Sequence, residues 1–147
     1  MIATVDEFER RLVQLDPERF DFVLRADELI AALSPEIAPQ VYAAILRFFE
    51  AHPEARCGAP GTLVHHIENY YPNYVATLRE SVTRAPSYNG VLMINRILNS
   101  SISEADRHEY VSILRSVALG DSAPETIQNL AIGFLNRQTT RSQTPPL

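Results

Sequence analysis

Apolar residues recur every three or four positions along most of the chain, which is the spacing of amphipathic helices. The first such segment begins with a capping box formed by Thr4 and Glu7. Its apolar face then carries Phe8, Leu12 and Leu15. No segment alternates apolar and polar residues in the manner of a half-buried strand. The pattern therefore predicts an all-α protein.

Proline, serine and glycine residues divide this pattern into about eight short helices. Short turns between helices favour antiparallel neighbours. A faint repeat relates residues 86–99 to residues 124–136, at a step typical of HEAT-type helix pairs. The sequence thus predicts antiparallel helix pairs in a HEAT-like stack, with a compact helical bundle as the alternative.

The segment of residues 17–33 differs from the others because apolar residues cover most of its helical surface. Such a helix is usually sandwiched between neighbours. Its apolar residues form two faces, one with Phe20 and Leu24 and one with Phe22, which leaves a second apolar face either to pack within the domain or to form a dimer. Asp27 falls between Phe20 and Leu24 on the helical wheel. Either the helix breaks near Ala26 and Asp27 caps a second piece, or Asp27 is an acid at a contact surface.

The length and composition fit one domain. Of 147 residues, 46% are hydrophobic, which is enough to build a core. We expect a single domain over residues 1–137 and a disordered polar tail over residues 138–147. No apolar run approaches the ~20 residues of a membrane span, and the N-terminus lacks the pattern of a signal peptide. A single cysteine, Cys57, fits a reducing compartment. A soluble, cytoplasmic protein is therefore expected.

Negative charge is concentrated in the first third of the chain. Residues 1–54 contain eleven acidic residues and five arginines, a balance of −6, whereas residues 55–147 carry +1. An acidic surface repels nucleic acid and attracts a basic partner. An ordinary solvated helix face would have the same composition, so both interpretations stay open.

No motif predicts catalysis or cofactor binding. His65 and Glu68 share a helix face, but zinc requires three or four ligands and no second cluster is visible. His65 points away from the apolar stripe of its helix, towards solvent or a partner. The sequence RCGAPGT around Cys57 matches neither a catalytic-cysteine signature nor a phosphate-binding loop. We expect no catalytic, metal or cofactor site; an enzyme would need Cys57 and His108 to converge on the His65 face.

Three tyrosines mark the corner between two predicted helices. Tyrosine is enriched at protein interfaces because it combines a large apolar ring with a polar tip. Tyr70 and Tyr71 belong to the apolar stripe of their helix and are expected in the core. Tyr74 is expected at the surface. Asn95, inside an apolar stripe, is expected to tie down a neighbouring loop by hydrogen bonds.

Residues 61–99 resemble a known family. The order PG-x-LVHHIE-x-YY, then Tyr74 and Leu78, then Ser81-x-x-Arg84-x-Pro86, then MINRILN is similar to small all-helical immunity proteins of bacterial polymorphic-toxin systems. Such proteins bind and neutralise a cognate secreted toxin. The resemblance consists of apolar and aromatic positions, with no catalytic signature, together with Gly61, Glu68, Arg84, Pro86, Asn95 and Arg96. It implies a small cytoplasmic protein without an active site.

The resemblance also implies how such a protein acts. It would occlude the active site of its toxin, and if that toxin is a basic nuclease, acidic helices would imitate a phosphate backbone. The alternative function is a HEAT-like adaptor that binds another protein or peptide. Neither nucleic acid nor a membrane is expected as a partner, and both a monomer and a homodimer remain open. The residues expected to contact the partner are Asp21, Asp27, Glu28, His65, Glu68 and Tyr74.

Overall fold

The structure, a computed structural model, describes residues 1–143. These residues form eight α-helices, preceded in one case by a short 3-10 turn at Ala38–Gln40, and their only β contact is an isolated bridge between Ile2 and Leu33. The all-α prediction and the expected number of helices are confirmed. The helices are α1 (Val5–Leu12), α2 (Phe22–Ala31), α3 (Tyr42–Ala51), α4 (Gly61–Glu68), α5 (Val75–Arg84), α6 (Tyr88–Leu98), α7 (Glu104–Leu119) and α8 (Glu125–Gln143).

Side-chain caps determine where three of these helices begin. The hydroxyls of Thr4, Ser87 and Ser103 each accept a hydrogen bond from the backbone N–H three residues later, at 3.1, 2.9 and 3.1 Å. Each bond satisfies a backbone donor that has no partner within the helix, which stabilises a helix start by about 1 kcal/mol. The cap predicted at Thr4 is confirmed.

Helix α6 lies at the centre of the domain. It packs against α3, α5, α7 and α8, and Val91, Met93 and Ile94 are completely buried. Around it, α1 packs on α2 and α3, α2 packs on α4, and α7 packs on α8. A helix with four partners is apolar on most of its surface for that reason. This arrangement is a compact helical bundle, one of the two all-α packings that the sequence indicates.

Helix α2 runs without interruption through Ala26 and Asp27, so the predicted break is wrong. The buried residues of this helix, Phe22, Ala26 and Leu29, follow the spacing of a single helix face. Phe22 stacks on Phe48 of α3 with ring centroids 5.9 Å apart. One continuous face therefore holds α2 against the core.

Helix α8 extends beyond residue 137, where the ordered domain was expected to end. Gln138 is only 4% exposed, and its amide nitrogen donates to the side-chain oxygens of Asn95 and Asn99, each at 2.9 Å. A disordered tail is therefore wrong for residues 138–143, which belong to α8 and include a polar side chain with a buried partner, Asn95, on α6. Residues 144–147 lie outside the described residues. Asn95 does tie down a neighbouring element, but that element is a helix instead of a loop.

Candidate protein-binding surface

One side of α2 exposes apolar side chains that the rest of residues 1–143 leaves uncovered. Phe20, just before the helix, is 95% exposed, Leu24 is 57% exposed and Val23 is 49% exposed. Single exposed apolar residues are common, but adjacent ones on one helix mark interaction sites. The second apolar face of this segment thus lies at the surface of the single chain. We call Phe20, Val23 and Leu24 the α2 ridge.

Arginines neutralise two of the acids that were expected to contact a partner. Asp21 accepts hydrogen bonds from Arg19 at 3.2 Å and from Arg25 at 3.4 Å, and Arg25 also donates to Glu28 at 3.3 Å. The hydrogen bond from Arg19, the main cause, holds the pKa of Asp21 below its usual value. The carboxylates of Asp21 and Glu28 are therefore paired with arginines, unlike the unpaired phosphates of the nucleic-acid backbone that they were expected to imitate.

Asp27 differs from these two acids because none of the arginines in the described chain pairs with it. Its carboxylate accepts a hydrogen bond from the hydroxyl of Thr62, which links α2 to α4. Thr62 lies within the first turn of α4, which begins at Gly61, and its hydroxyl reaches across to α2. Asp27 is exposed one helical turn from Leu24. It is therefore an acid at the edge of the α2 ridge.

His65 and Glu68 continue the same surface along α4. His65 is exposed one turn beyond Thr62, and its Nδ1 lies 3.7 Å from Glu68. Glu68 also accepts two hydrogen bonds from Arg96 of α6, at 2.7 and 2.8 Å. This bidentate pair joins α4 to α6. Glu68 is thus a structural residue that retains a partly exposed edge.

The exposures of Tyr71 and Tyr74 are the reverse of those predicted from the sequence. Tyr74 is 2% exposed, whereas Tyr71 is 51% exposed, and their rings meet edge to face at 5.9 Å. Because α4 ends at Glu68, Tyr71 lies in the turn that follows and not on the apolar stripe. Tyr74 directly precedes α5 and lies one turn from Leu78, which is completely buried. Burial raises the pKa of the Tyr74 hydroxyl.

A cleft of about 190 Å³ opens beside Tyr71. Its size is below the roughly 300–1,000 Å³ of sites that enclose a small molecule. We call it the Tyr71 cleft. Its lining residues are Glu68, Tyr71, Tyr74, Arg96, Ile97 and Ser100.

Two adjoining grooves between α1 and α2 are larger, at about 250 and 380 Å³. Their charged lining consists of three arginines and three acids. Arg11 pairs with Glu7 at 2.7 Å, Arg19 pairs with Asp21, and Arg25 pairs with Asp21 and Glu28. These guanidinium groups are therefore already engaged by carboxylates. The grooves offer an anion no unpaired cation, and volume alone does not make them a binding site.

The described part of the chain brings together few side chains that could hold a metal ion or act as a nucleophile. In residues 1–143, no three histidine, cysteine or acidic side chains converge on a position that would hold a metal ion. Burial, together with the nearby Glu18, raises the pKa of the Cys57 thiol to about 12. A thiol of this kind is protonated at neutral pH and is a poor nucleophile. Within the same residues, none of the helices has the length and hydrophobicity to cross a membrane.

His66 makes the stability of the fold depend on pH. Burial lowers its pKa below 6.5, and its Nε2 lies 2.7 Å from the carbonyl oxygen of Ala38. The neutral ring donates this bond when the proton is on Nε2. Because the folded state binds a second proton less readily than the unfolded state does, the stabilisation is complete above pH ~6.5 and is lost as the pH falls towards the lowered pKa.

We expect His66→Gln, which keeps a donor at this position, to lose less stability than the wild type on acidification. Urea unfolding between about pH 7 and about pH 5 measures this difference. His65→Gln, at the exposed neighbouring position, controls for the exchange of an imidazole for an amide. Equal pH dependence in wild type and His66→Gln would contradict the placement of His66.

The polar residues of the stretch that resembles immunity proteins hold helices together. Each contact joins two different helices, so these residues help to explain the fold. The contacts are Glu68 with Arg96, Arg84 and Ser81 with Glu50, and Asn95 with Gln138. Comparison with protein families, with curated proteins and with solved structures gave no match.

Phe20 and Tyr71, the two most exposed aromatic residues of this surface, were not among the residues expected to contact a partner. The helical wheel placed Phe20 beside Asp27, and a charged residue inside an apolar face signals contact with solvent. For Tyr71 the signal was Pro72, which requires the helix to end before it. In the structure, contacts connect Asp27 to Thr62 on α4 and His65 to Glu68, and Glu68 and Tyr71 line one cleft, while Tyr74 is buried.

Proposed function

We propose that this protein is an immunity protein that binds a cognate secreted toxin and blocks the active site of that toxin. The observation that carries the proposal is the α2 ridge, where Phe20 and Leu24 project into solvent beside Asp27. Exposed apolar side chains of this kind gain free energy only when a partner covers them. Aromatic residues near the middle of an interface commonly supply most of the binding energy.

Two further features support a toxin as the partner. Residues 61–99 resemble immunity proteins, and the chain carries a net charge of −5. An acidic protein associates faster with a basic partner because the long-range field steers the encounter. Because arginines already pair with Asp21 and Glu28, we expect the apolar ridge to supply most of the affinity, with Asp27 as the charged contact.

A growth-rescue experiment tests this function. The gene adjacent to the one that encodes this chain is expressed inducibly in a laboratory bacterium, with and without this protein. A version of this gene with an early stop codon controls for effects of the transcript. We expect the neighbour to arrest growth and the intact protein to restore it. A harmless neighbour, or arrest that the protein does not relieve, would contradict the proposal and favour an adaptor.

A further inference from the structure

We propose that the α2 ridge and the Tyr71 cleft are the two ends of one interface, and that the toxin inserts a single uncharged side chain into the cleft. This inference rests on the proposed function, because the occupant is the toxin. The ridge acts as a projection that enters the partner, and the cleft acts as a socket that receives a side chain of the partner. Neither role follows from the net charge or from the resemblance.

A continuous row of surface contacts connects the two ends. Leu24 lies one turn before Asp27 on α2, and Asp27 accepts a hydrogen bond from Thr62 of α4. His65 follows one turn further along α4, and it lies 3.7 Å from Glu68, which lines the cleft. Each step is either a direct contact or one helical turn. The ridge and the cleft are therefore connected across the exposed side of α4.

The distance between the ends suits one interface. At about 1.5 Å per residue, the helical path from Thr62 to Glu68 covers about 9 Å, and the turn from Leu24 to Asp27 adds about 5 Å. The helical parts of the row between Leu24 and Glu68 thus add up to about 14 Å. A standard interface buries about 800 Å² on each partner, a patch roughly 30 Å across. One partner can contact both aromatics at once.

The lining of the cleft determines what it receives. Glu68 and Arg96 neutralise each other at 2.7 and 2.8 Å, so the cleft favours neither a cation nor an anion. Tyr71 and Ile97 provide apolar walls, and Ser100 lies at the rim. A volume of about 190 Å³ accommodates one large side chain but not a cofactor. An uncharged, largely apolar side chain fits this combination.

A second copy of this chain fits the surface less well than a basic partner does. Two copies of this chain each carry a net charge of −5, so the long-range field between them opposes association, whereas the same field attracts a basic partner. A partner that places a basic group against Asp27 and an apolar pocket over Phe20 has no such conflict. These features define the expected surface of the toxin.

Two variants test the ends separately. Phe20→Ser removes the projection, and Ser100→Trp fills the cleft from an exposed position at its rim. Binding is measured by calorimetry with the product of the adjacent gene, inactivated by mutation. We expect each variant to weaken binding by tenfold or more, which is typical of anchor residues. Matched controls on α7, Leu119→Ser and Ser112→Trp, should stay within about twofold of the wild type, since both positions are exposed outside this row of contacts.

Each outcome decides the proposal. Circular dichroism first confirms that all four variants keep the wild-type helical content. Loss of binding in both test variants supports one interface, whereas normal binding by Ser100→Trp shows that the cleft is empty in the complex and overturns the proposal. Sedimentation that shows a wild-type dimer, dissociated by Phe20→Ser, also overturns it in favour of self-association. In both of the outcomes that overturn this inference, the protein would still restore growth. Failure of the inference can therefore be distinguished from failure of the proposed function.

Discussion

Replacing Tyr74 with alanine is expected to lower the free energy of unfolding by about 3–5 kcal/mol, whereas Tyr71→Ala should lower it by less than about 1 kcal/mol. Tyr74 is 2% exposed beside Leu78, so its loss leaves a cavity under α5. Tyr71 is 51% exposed, and its removal costs little beyond the edge-to-face contact of the two rings. Urea unfolding followed by circular dichroism measures both values.

Tyr74→Phe provides the control, because it keeps the ring that fills the core and removes only the hydroxyl. It should remain much closer to the wild type than Tyr74→Ala does. If Tyr71→Ala were as destabilising as Tyr74→Ala, the assignment of Tyr74 to the core and Tyr71 to the surface would be wrong. The cleft beside Tyr71 would then have to be reconsidered as well.

Replacing Gln138 with alanine is expected to lower the free energy of unfolding by about 1–3 kcal/mol. The substitution removes the donor that reaches Asn95 and Asn99, and it removes the acceptor that Arg107 contacts at 3.3 Å. Asn95 is 6% exposed, so its amide oxygen would be left buried without this partner. Leaving such a group unpaired costs more than the lost hydrogen bond contributes.

Thr139→Ala is the matched control, since Thr139 is exposed at the next position of α8. It makes the same change to alanine without touching the buried amides, and alanine favours the helix slightly. We expect this control to match or exceed the wild type in stability. Equal behaviour of Gln138→Ala and Thr139→Ala would show that the end of α8 does not pack on α6.

The helices were predictable because their signals are local. Thr4 and Ser87 precede apolar residues at helical spacing, and each caps the helix that follows it. The end of α8 was not predictable in this way. Gln138 reads as the start of a polar tail until Asn95, 43 residues earlier in the chain, is known to face it. A hydrogen bond between distant residues leaves no periodic pattern in the sequence.

The surface was only partly predictable for a related reason. Periodicity shows that the segment before and within α2 has two apolar faces, but only packing decides which one the core covers. Asp21 and Arg25 stand four residues apart, a spacing that signals an ion pair in advance. No such signal joins Asp27 to Thr62. The predicted exposures of Tyr71 and Tyr74 were interchanged, because the residue at which α4 ends decides which ring lies on the buried face.

Hydroxyl-radical footprinting of the complex with the inactivated toxin tests the central claim most directly. The method reports side-chain exposure, and in the unbound protein Phe20, Tyr71 and Leu119 are all exposed enough to react. The account predicts that the toxin protects Phe20 and Tyr71 while the oxidation of Leu119 on α7 stays unchanged. Full oxidation of Phe20 in the complex would contradict a toxin-binding role for the α2 ridge.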